Sequence, residues 1–399
     1  MNLRRFSGVI MSRNAVVLLV LVFAIFAFGL VMLYSATAVT AEKSPRFQDD
    51  AYFLKKQLLW VMISVGAMIV AGRVPYGAWA RWRVPIMALS LVGLALVFVP
   101  GVGAQINAAR RWIRLGGQFL QPSEAAKIGV AIFLCGFAAA DPERLKSFFK
   151  GFVPVYAVIG AVCALILVEP DIGTAVFIAL VMTLTLIVGG VRIRHLVPSG
   201  LAAGGLAAWY AMNHTAHFMA RIDTWLHPEL DPQGKGHQIT QSLIALGSGS
   251  WSGVGLGQGT SKLYFLPEAH SDFIFPVIGE ELGFLGASAL IVLYMAVGVV
   301  GYRIMRRCPD RFGFLLSFAL TTYIILQAAM NVAVVTASMP TKGIPLPFVS
   351  AGGSSVLFTM VGIGILVNIA NASERGTCQE GGGASCSPGA APAVTSSPA

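Results

Sequence analysis

Apolar runs of about 17 to 25 residues recur along nearly the whole chain, the length of helix that covers roughly 30 Å of bilayer hydrocarbon. Few folds are open to such a chain. Inside lipid every backbone N–H and C=O must be paired within the protein, which helices and closed barrels alone achieve. Only 12% of the 399 residues are charged and 56% are hydrophobic, against about 25% charged in an ordinary soluble domain. The expectation is an all-α polytopic membrane protein with about ten transmembrane helices. The spans fall near 15–36, 56–72, 84–100, 122–140, 151–168, 172–190, 195–212, 272–301, 312–337 and 354–371. The first follows Arg4, Arg5 and Arg13, is too long for a signal-peptide core and lacks a convincing cleavage site, so it reads as a retained signal anchor.

With residues 1–14 in the cytoplasm, sixteen of the 28 Lys and Arg fall in cytoplasmic segments, as the positive-inside rule asks. Both termini then lie in the cytoplasm. The net charge of +10 is spread over short loops, the pattern of membrane orientation rather than of nucleic-acid binding, and no nucleic-acid partner is expected. The five cysteines show no metal-ligand spacing. The membrane domain occupies 15–375, with one long extracytoplasmic loop, 213–271, between the seventh and eighth helices. A short helix is expected at 238–246 and a glycine-rich stretch at 247–259, the whole packing over the membrane surface. Residues 376–399, rich in Gly, Ser, Ala and Pro, read as a disordered cytoplasmic tail.

A carboxylate at or within a span is a functional-site hypothesis by default, and LPEAHSDFIFPVIGEELGF (266–284) holds several acids. Asp272 sits at the outer mouth of the eighth span, either as an acid favoured by the helix dipole or as a general base. Glu280 and Glu281 come eight and nine residues later, which places them about 12 to 13 Å deeper on a continuous helix. They are read as pairing with a basic residue to hold the bundle, or as lining a polar cavity. Arg110, Arg111 and Arg114 in AARRWIRLGG lie outside, where the positive-inside rule does not want them. Such guanidinium groups suit a phosphate or pyrophosphate, or plain contact with anionic headgroups. Glu124 and Lys127, spaced i, i+3 in QPSEAAKIG, form an ion pair or place Lys127 beneath an anionic substrate. Glu169 and Asp171 flank Pro170 and serve as turn and cap, or as ligands of a divalent cation. The proline-rich MPTKGIPLPFVSAGGSS (339–355) reads as a rigid re-entrant turn, with Lys342 on the Asp272 side and Ser354 and Ser355 closing it.

Together, ARRWIRLG, QPSEAAK, EPDIGTA, GVGLGQGTSK, LPEAHSDFIFPVIGEELGFLG and MPTKGIPLPFVSAGGSS resemble the SEDS family (shape, elongation, division and sporulation), the polytopic peptidoglycan glycosyltransferases. The likeness covers about residues 12–375, in the family's order. Thr341-Lys342-Gly343 is similar to the division branch more than to the elongation branch, while Ser271 stands where Thr is usual and Ala351 where Tyr is usual. The resemblance implies polymerisation of lipid II: a GlcNAc 4-hydroxyl attacks a MurNAc anomeric carbon with inversion, releasing undecaprenyl pyrophosphate. Asp272 matches the family's catalytic aspartate. Arg110, Arg111, Glu124, Lys127, Lys262, His270 and Lys342 are then expected around the pyrophosphate and sugars, with Glu169, Asp171, Glu280, Glu281, Ser354 and Ser355 structural or cavity-lining. No cofactor is certain, with a divalent cation, Mg or Mn, left open. The implied setting is the inner membrane at the division septum, with a class B penicillin-binding protein transpeptidase and other division-complex membrane proteins as partners. A lipid II flippase using Glu280 or Glu281, and a division scaffold without catalysis, are the rival readings. The crowding of charged candidates toward the outer half favours an enzyme.

Overall fold

The computed structural model describes residues 5–6, 9–43, 49–106, 109–115, 118–214, 222–228, 235–262 and 270–380. Ten helices correspond to the ten expected spans: α1 Arg13–Lys43, α2 Tyr52–Arg73, α3 Arg83–Leu96, α4 Pro122–Ala140, α5 Val153–Val168, α6 Ile172–Val188, α7 Ile193–His214, α9 Ile274–Arg307, α10 Arg311–Val335 and α11 Gly353–Glu380. By length and composition seven of them are able to cross a membrane, while α3 and α6 are shorter apolar helices. Their outward faces are apolar, with Met62, Leu89 and Leu201 each more than 70% exposed. That pattern is inside out for water and right for lipid, which solvates apolar side chains. Helix α8, Lys235–Ser248, is the short helix expected near 238–246. Helix α11 runs five residues into the expected tail, whose remainder, 381–399, lies outside the described residues.

Two antiparallel ribbons depart from an all-α chain: Arg5–Phe6 pairs with Val9–Ile10, and a larger one lies between α3 and α4. Strands β1 Gly103–Ile106, β2 Ala109–Leu115 and β3 Gln118–Leu120 form an antiparallel ribbon in that order. A strand sends successive side chains to opposite faces, but the pairing of β2 with β1 shifts at Arg111: Ala104 faces Trp112 and Gln105 faces Arg110, which leaves Arg111 as an extra residue. Trp112 and Arg114 then share one face with Ile113 on the other, and Arg110, before the irregularity, faces away from Trp112.

Hydrogen bonds hold the helix ends level where the basic residues gather. Ser12 N–H donates to Asn371 Oδ1 at 2.8 Å, Asn368 donates to the Gly72 carbonyl at 2.7 Å, and Tyr76 donates its hydroxyl to Asp310 at 2.6 Å. This basic end is a baseline for depth, since a helix rises about 1.5 Å per residue. Residues 345–349 of the loop before α11 meet Gln327 of α10, whose amide donates to the Pro345 carbonyl at 2.9 Å, and Tyr294 of α9, which donates to the Pro347 carbonyl. They also meet Gly29 of α1, where an added Cβ would stand 2.7 Å from both Phe348 O and Val349 Cα. Counted from Arg307, Arg311 and Arg13, all three contacts fall roughly 20 to 24 Å above the baseline. The loop thus dips into a hydrocarbon layer about 30 Å thick. Leu346, Phe348 and Val349 are buried there, so this non-helical backbone is sealed in protein.

Candidate active site

Asp272 ends the turn before α9, partly exposed, and its neighbourhood is built by the re-entrant loop. Asn331 of α10 donates its amide to the Asp272 carbonyl and to the Ile344 carbonyl, each at 2.8 Å. Ser350 donates to the Ser271 carbonyl at 2.6 Å, and the Ala351 N–H donates to the His270 carbonyl at 2.9 Å. The carboxylate itself accepts from the Ser271 hydroxyl at 3.2 Å, and its Oδ2 would lie 2.9 Å from a Cβ added at Gly343. Lys342, the preceding residue, lays its stem against Gly173 in the first turn of α6. Asn331 is twenty residues above Arg311, which sets Asp272 roughly 30 Å from the basic end, at the far boundary of the hydrocarbon.

The turn before α6 carries the second group of charges. Asp171 caps α6, accepting from Thr174 N–H at 3.1 Å and Thr174 Oγ1 at 2.9 Å. Arg111 donates to the Glu169 carbonyl at 3.0 Å and the Pro170 carbonyl at 2.6 Å, with its Nη1 3.8 Å from Asp171 Oδ2. Glu169 is fully buried and neither carboxyl oxygen has a hydrogen-bond partner. Burial pushes its pKa up to about 8, with Asp171 adding to the rise and Arg111 opposing it. Arg111 thus meets Asp171, Asp171 and Lys342 both lie close to Gly173, and Gly343, next to Lys342, lies against Asp272. Among the described contacts Arg110 and Arg114 are not in that line; Arg114 stands 5.7 Å over the Phe119 ring. His270 packs beside Phe53, ring centroids 5.1 Å apart.

Lys127 and Glu124 pair at 2.7 Å inside the bundle, 4% and 3% exposed. Lys127 also donates to Gln327 at 3.3 Å and lies between the Phe177 and Tyr323 rings, while Tyr323 donates to Glu124 at 3.3 Å. This is the ion-pair alternative of the sequence. Its link to the site is indirect, through Gln327 to the loop at Pro345. Ser354 accepts from Gln121 N–H and donates to the Phe119 carbonyl, tying β3 to α11, and the Ser355 carbonyl accepts from Thr359.

The two glutamates correct the expected depth. Helix α9 is broken at Gly283, whose φ of 67° and ψ of −169° suit glycine alone. The glycine-rich loop supplies the missing bonds: Val254 and Gly255 N–H donate to the Glu280 and Glu281 carbonyls, and Phe284 and Leu285 N–H donate to the Ser250 and Trp251 carbonyls. Glu281 accepts from Ser35 of α1 at 2.6 Å, from Gly257 N–H at 3.0 Å and from Lys262 at 2.7 Å. Ser35 stands roughly 33 Å above Arg13 and the break roughly 36 Å above Arg307. Glu281 therefore lies near the level of Asp272, not a dozen ångströms below, because the segment between them runs along the membrane boundary. Glu280 takes no basic partner in the described contacts. It accepts instead from Thr260 N–H and Oγ1 and from Ser261 N–H. Lys262, expected at the substrate, is 6% exposed and committed to Glu281, Ser35 and the Gly257 carbonyl.

Sequence reasoning passed over Ser35, Gln327, Asn331 and Gly283. A signal existed for two of them: Gln327 and Asn331 are polar residues four apart within an apolar span, on one face of α10. As for a metal, among the described residues no group of three or more His, Cys, Asp or Glu comes together.

Comparison with known proteins follows the same outline. The profile of the cell cycle protein family FtsW/RodA/SpoVE matches residues 15–375. A probable peptidoglycan glycosyltransferase FtsW of Trichlorobacter lovleyi is 42% identical over 353 residues, covering 88% of this chain and 92% of that one. The stage V sporulation protein E of Bacillus subtilis is 37% identical over 357 residues, covering 89% and 96%. Among solved structures, a peptidoglycan synthase complex coordinating polymerisation and crosslinking superposes with TM-score 0.72 at 26% identity, covering 89% of this chain and 97% of that one. The rod shape determining protein RodA of Thermus thermophilus gives 0.65 at 25%, covering 88% and 95%.

Proposed function

The chain belongs to the FtsW/RodA/SpoVE family of cell cycle proteins, and from that premise we propose that it is a peptidoglycan glycosyltransferase that polymerises lipid II, with Asp272 as the base. The observation that carries the reading is the position of Asp272: a partly exposed carboxylate at the membrane boundary, held by a rigid re-entrant loop beside Lys342 and the Arg111 turn. A lipid-linked sugar presents its reacting groups at that depth.

In this reading the acceptor 4-hydroxyl gives its proton to Asp272 as its oxygen bonds to the donor's anomeric carbon. The bond from that carbon to the pyrophosphate breaks on the opposite face, and the electron pair leaves with undecaprenyl pyrophosphate. A single carboxylate suffices for such an inverting transfer. Lys342 and the remaining donors of Arg111 meet the leaving charge, and Arg110 extends the positive surface beyond them. Lys127 and Glu124 support the loop through Gln327 rather than touch sugar. Glu169 and Asp171 do not fit a divalent cation, since Glu169 is fully buried and Asp171 is committed to the cap of α6, so neutralisation of the leaving group is assigned to Lys342 and Arg111.

The basic end then faces the cytoplasm, with both termini, and the site faces outward at the division septum. A class B penicillin-binding protein transpeptidase is the proposed partner, supported by the likeness to a synthase complex that joins polymerisation to crosslinking. The test is polymerisation of purified lipid II with that transpeptidase present. Asp272→Ala is expected to lose at least about 100-fold in rate, the low end of general-base effects, while melting like the parent. Retained polymerisation would sink the assignment, as would translocation of lipid II by the parent without any polymer.

A further inference from the structure

At the basic end, away from the site, the ends of α1, α9 and α11 enclose a cavity of about 380 Å³. Arg306 and Arg307 from the last turn of α9 line it, with Asn14 from the first turn of α1 and Ser373 and Glu374 from α11. Its walls are fixed, because the Ser12–Asn371 hydrogen bond of 2.8 Å pins the start of α1 to α11. Asn14 lines the cavity and is only 9% exposed. Arg307 meets Glu374 at 3.8 Å, a long contact between groups 60% and 42% exposed, so most of its donors are uncommitted to that pair. Two guanidinium groups against one carboxylate leave the cavity positive. Next to it, α9 presents an apolar ridge to lipid through Met295, Val299 and Tyr302, each about half exposed or more, and Arg306 lies 5.9 Å over the Tyr302 ring.

We propose that this cavity holds the phosphate of an anionic phospholipid such as phosphatidylglycerol, with the acyl chains lying along the α9 ridge. Arginine pairs with phosphate oxygens in bidentate fashion, and the Asn14 amide offers further hydrogen bonds, while the Ser373 hydroxyl is committed to the Ile369 carbonyl at 2.9 Å. Basic pockets between helix ends at a membrane surface are suited to such headgroups. A free anion would leave the ridge unused. The catalytic reading above is not needed for this site, which lies at the opposite end of the bundle.

The full-length protein in detergent is titrated with phosphatidylglycerol and, separately, phosphatidylcholine, and bound lipid is counted by native mass spectrometry. The parent is expected to retain phosphatidylglycerol several-fold better. Arg306→Gln with Arg307→Gln should lose that preference, by about five-fold for each arginine. Arg303→Gln, in the same turn but outside the cavity, should keep it. Glu374→Gln, which removes the opposing charge, should raise retention, and this gain cannot come from misfolding. Equal retention of both lipids by the parent, an unchanged double variant, weaker retention by Glu374→Gln, or displacement of the lipid by millimolar inorganic phosphate would each overturn the proposal.

Discussion

Asp272 and Glu281 stand nine residues apart in one segment and at nearly one depth, yet they are held in opposite ways. Around Asp272 the hydrogen bonds grip the main chain: Asn331, Ser350 and Ala351 fix the carbonyls of residues 270–272, and the carboxylate stays partly exposed. Around Glu281 they grip the carboxylate, which takes Ser35, Gly257 and Lys262 and is 0% exposed. A fully buried carboxylate held by three donors through its own oxygens is structural; one placed mainly through its backbone stays partly exposed, as the proposed base requires.

That contrast should split activity from stability. Asp272→Asn keeps shape and hydrogen bonding but removes the base, so lipid II polymerisation should fall about 10²- to 10⁴-fold, some 3 to 5 kcal/mol in barrier, with the melting temperature nearly unmoved. Glu281→Ala should do the reverse. Stranding the buried Lys262 costs about 3 to 5 kcal/mol in fold stability, read as a lower melting temperature in detergent. The Glu281→Ala, Lys262→Met double variant should recover part of that loss. If the single variant melts like the parent, the clamp is not what holds the loop.

Gly283→Ala probes the break itself. The backbone there has φ 67°, and a Cβ would stand 2.3 Å from Gly253 N, so we expect about 1 to 3 kcal/mol of destabilisation and easier proteolysis within 249–262. A last test concerns Glu169, whose carboxyl burial raises from the ordinary 4.5 to about 8. The folded protein then keeps a proton that the unfolded chain gives up, so stability falls as pH rises from about 4.5 to about 8 and is level above that. Glu169→Gln should flatten the slope, measured as melting temperatures at pH 5.5 and 8.5.

The ten helices were legible because a lipid-facing helix needs an apolar run of fixed length, which the sequence states directly. The Glu124–Lys127 pair was legible for a similar reason, since i, i+3 spacing puts two charges on one face. What stayed hidden depended on chain folding back. Helical periodicity carried Glu280 and Glu281 a dozen ångströms inward because nothing in IGEELGF marks a helix that stops and resumes at Gly283. The glycines of 247–259 were visible as a breaker, but not as the strand of peptide that completes that helix. Likewise the three arginines of ARRWIRL looked like one cluster, and no alternation of charged and apolar residues there announces the bulged strand that carries them.

The close approach of Gly29 to Phe348 and Val349 also bears on how the chain is made. These residues are 319 positions apart, so the first helix has no partner at that point until nearly the whole protein has left the ribosome. At about 5 to 20 residues per second the wait is roughly 15 to 60 s. Through that interval α1 sits in the bilayer with a smooth notch at Gly29 and polar Ser35 unmatched. The loop that later carries Lys342 arrives close to last. Assembly of the catalytic end is therefore among the final events of biogenesis, and a chain truncated before residue 340 would span the membrane many times without ever forming it.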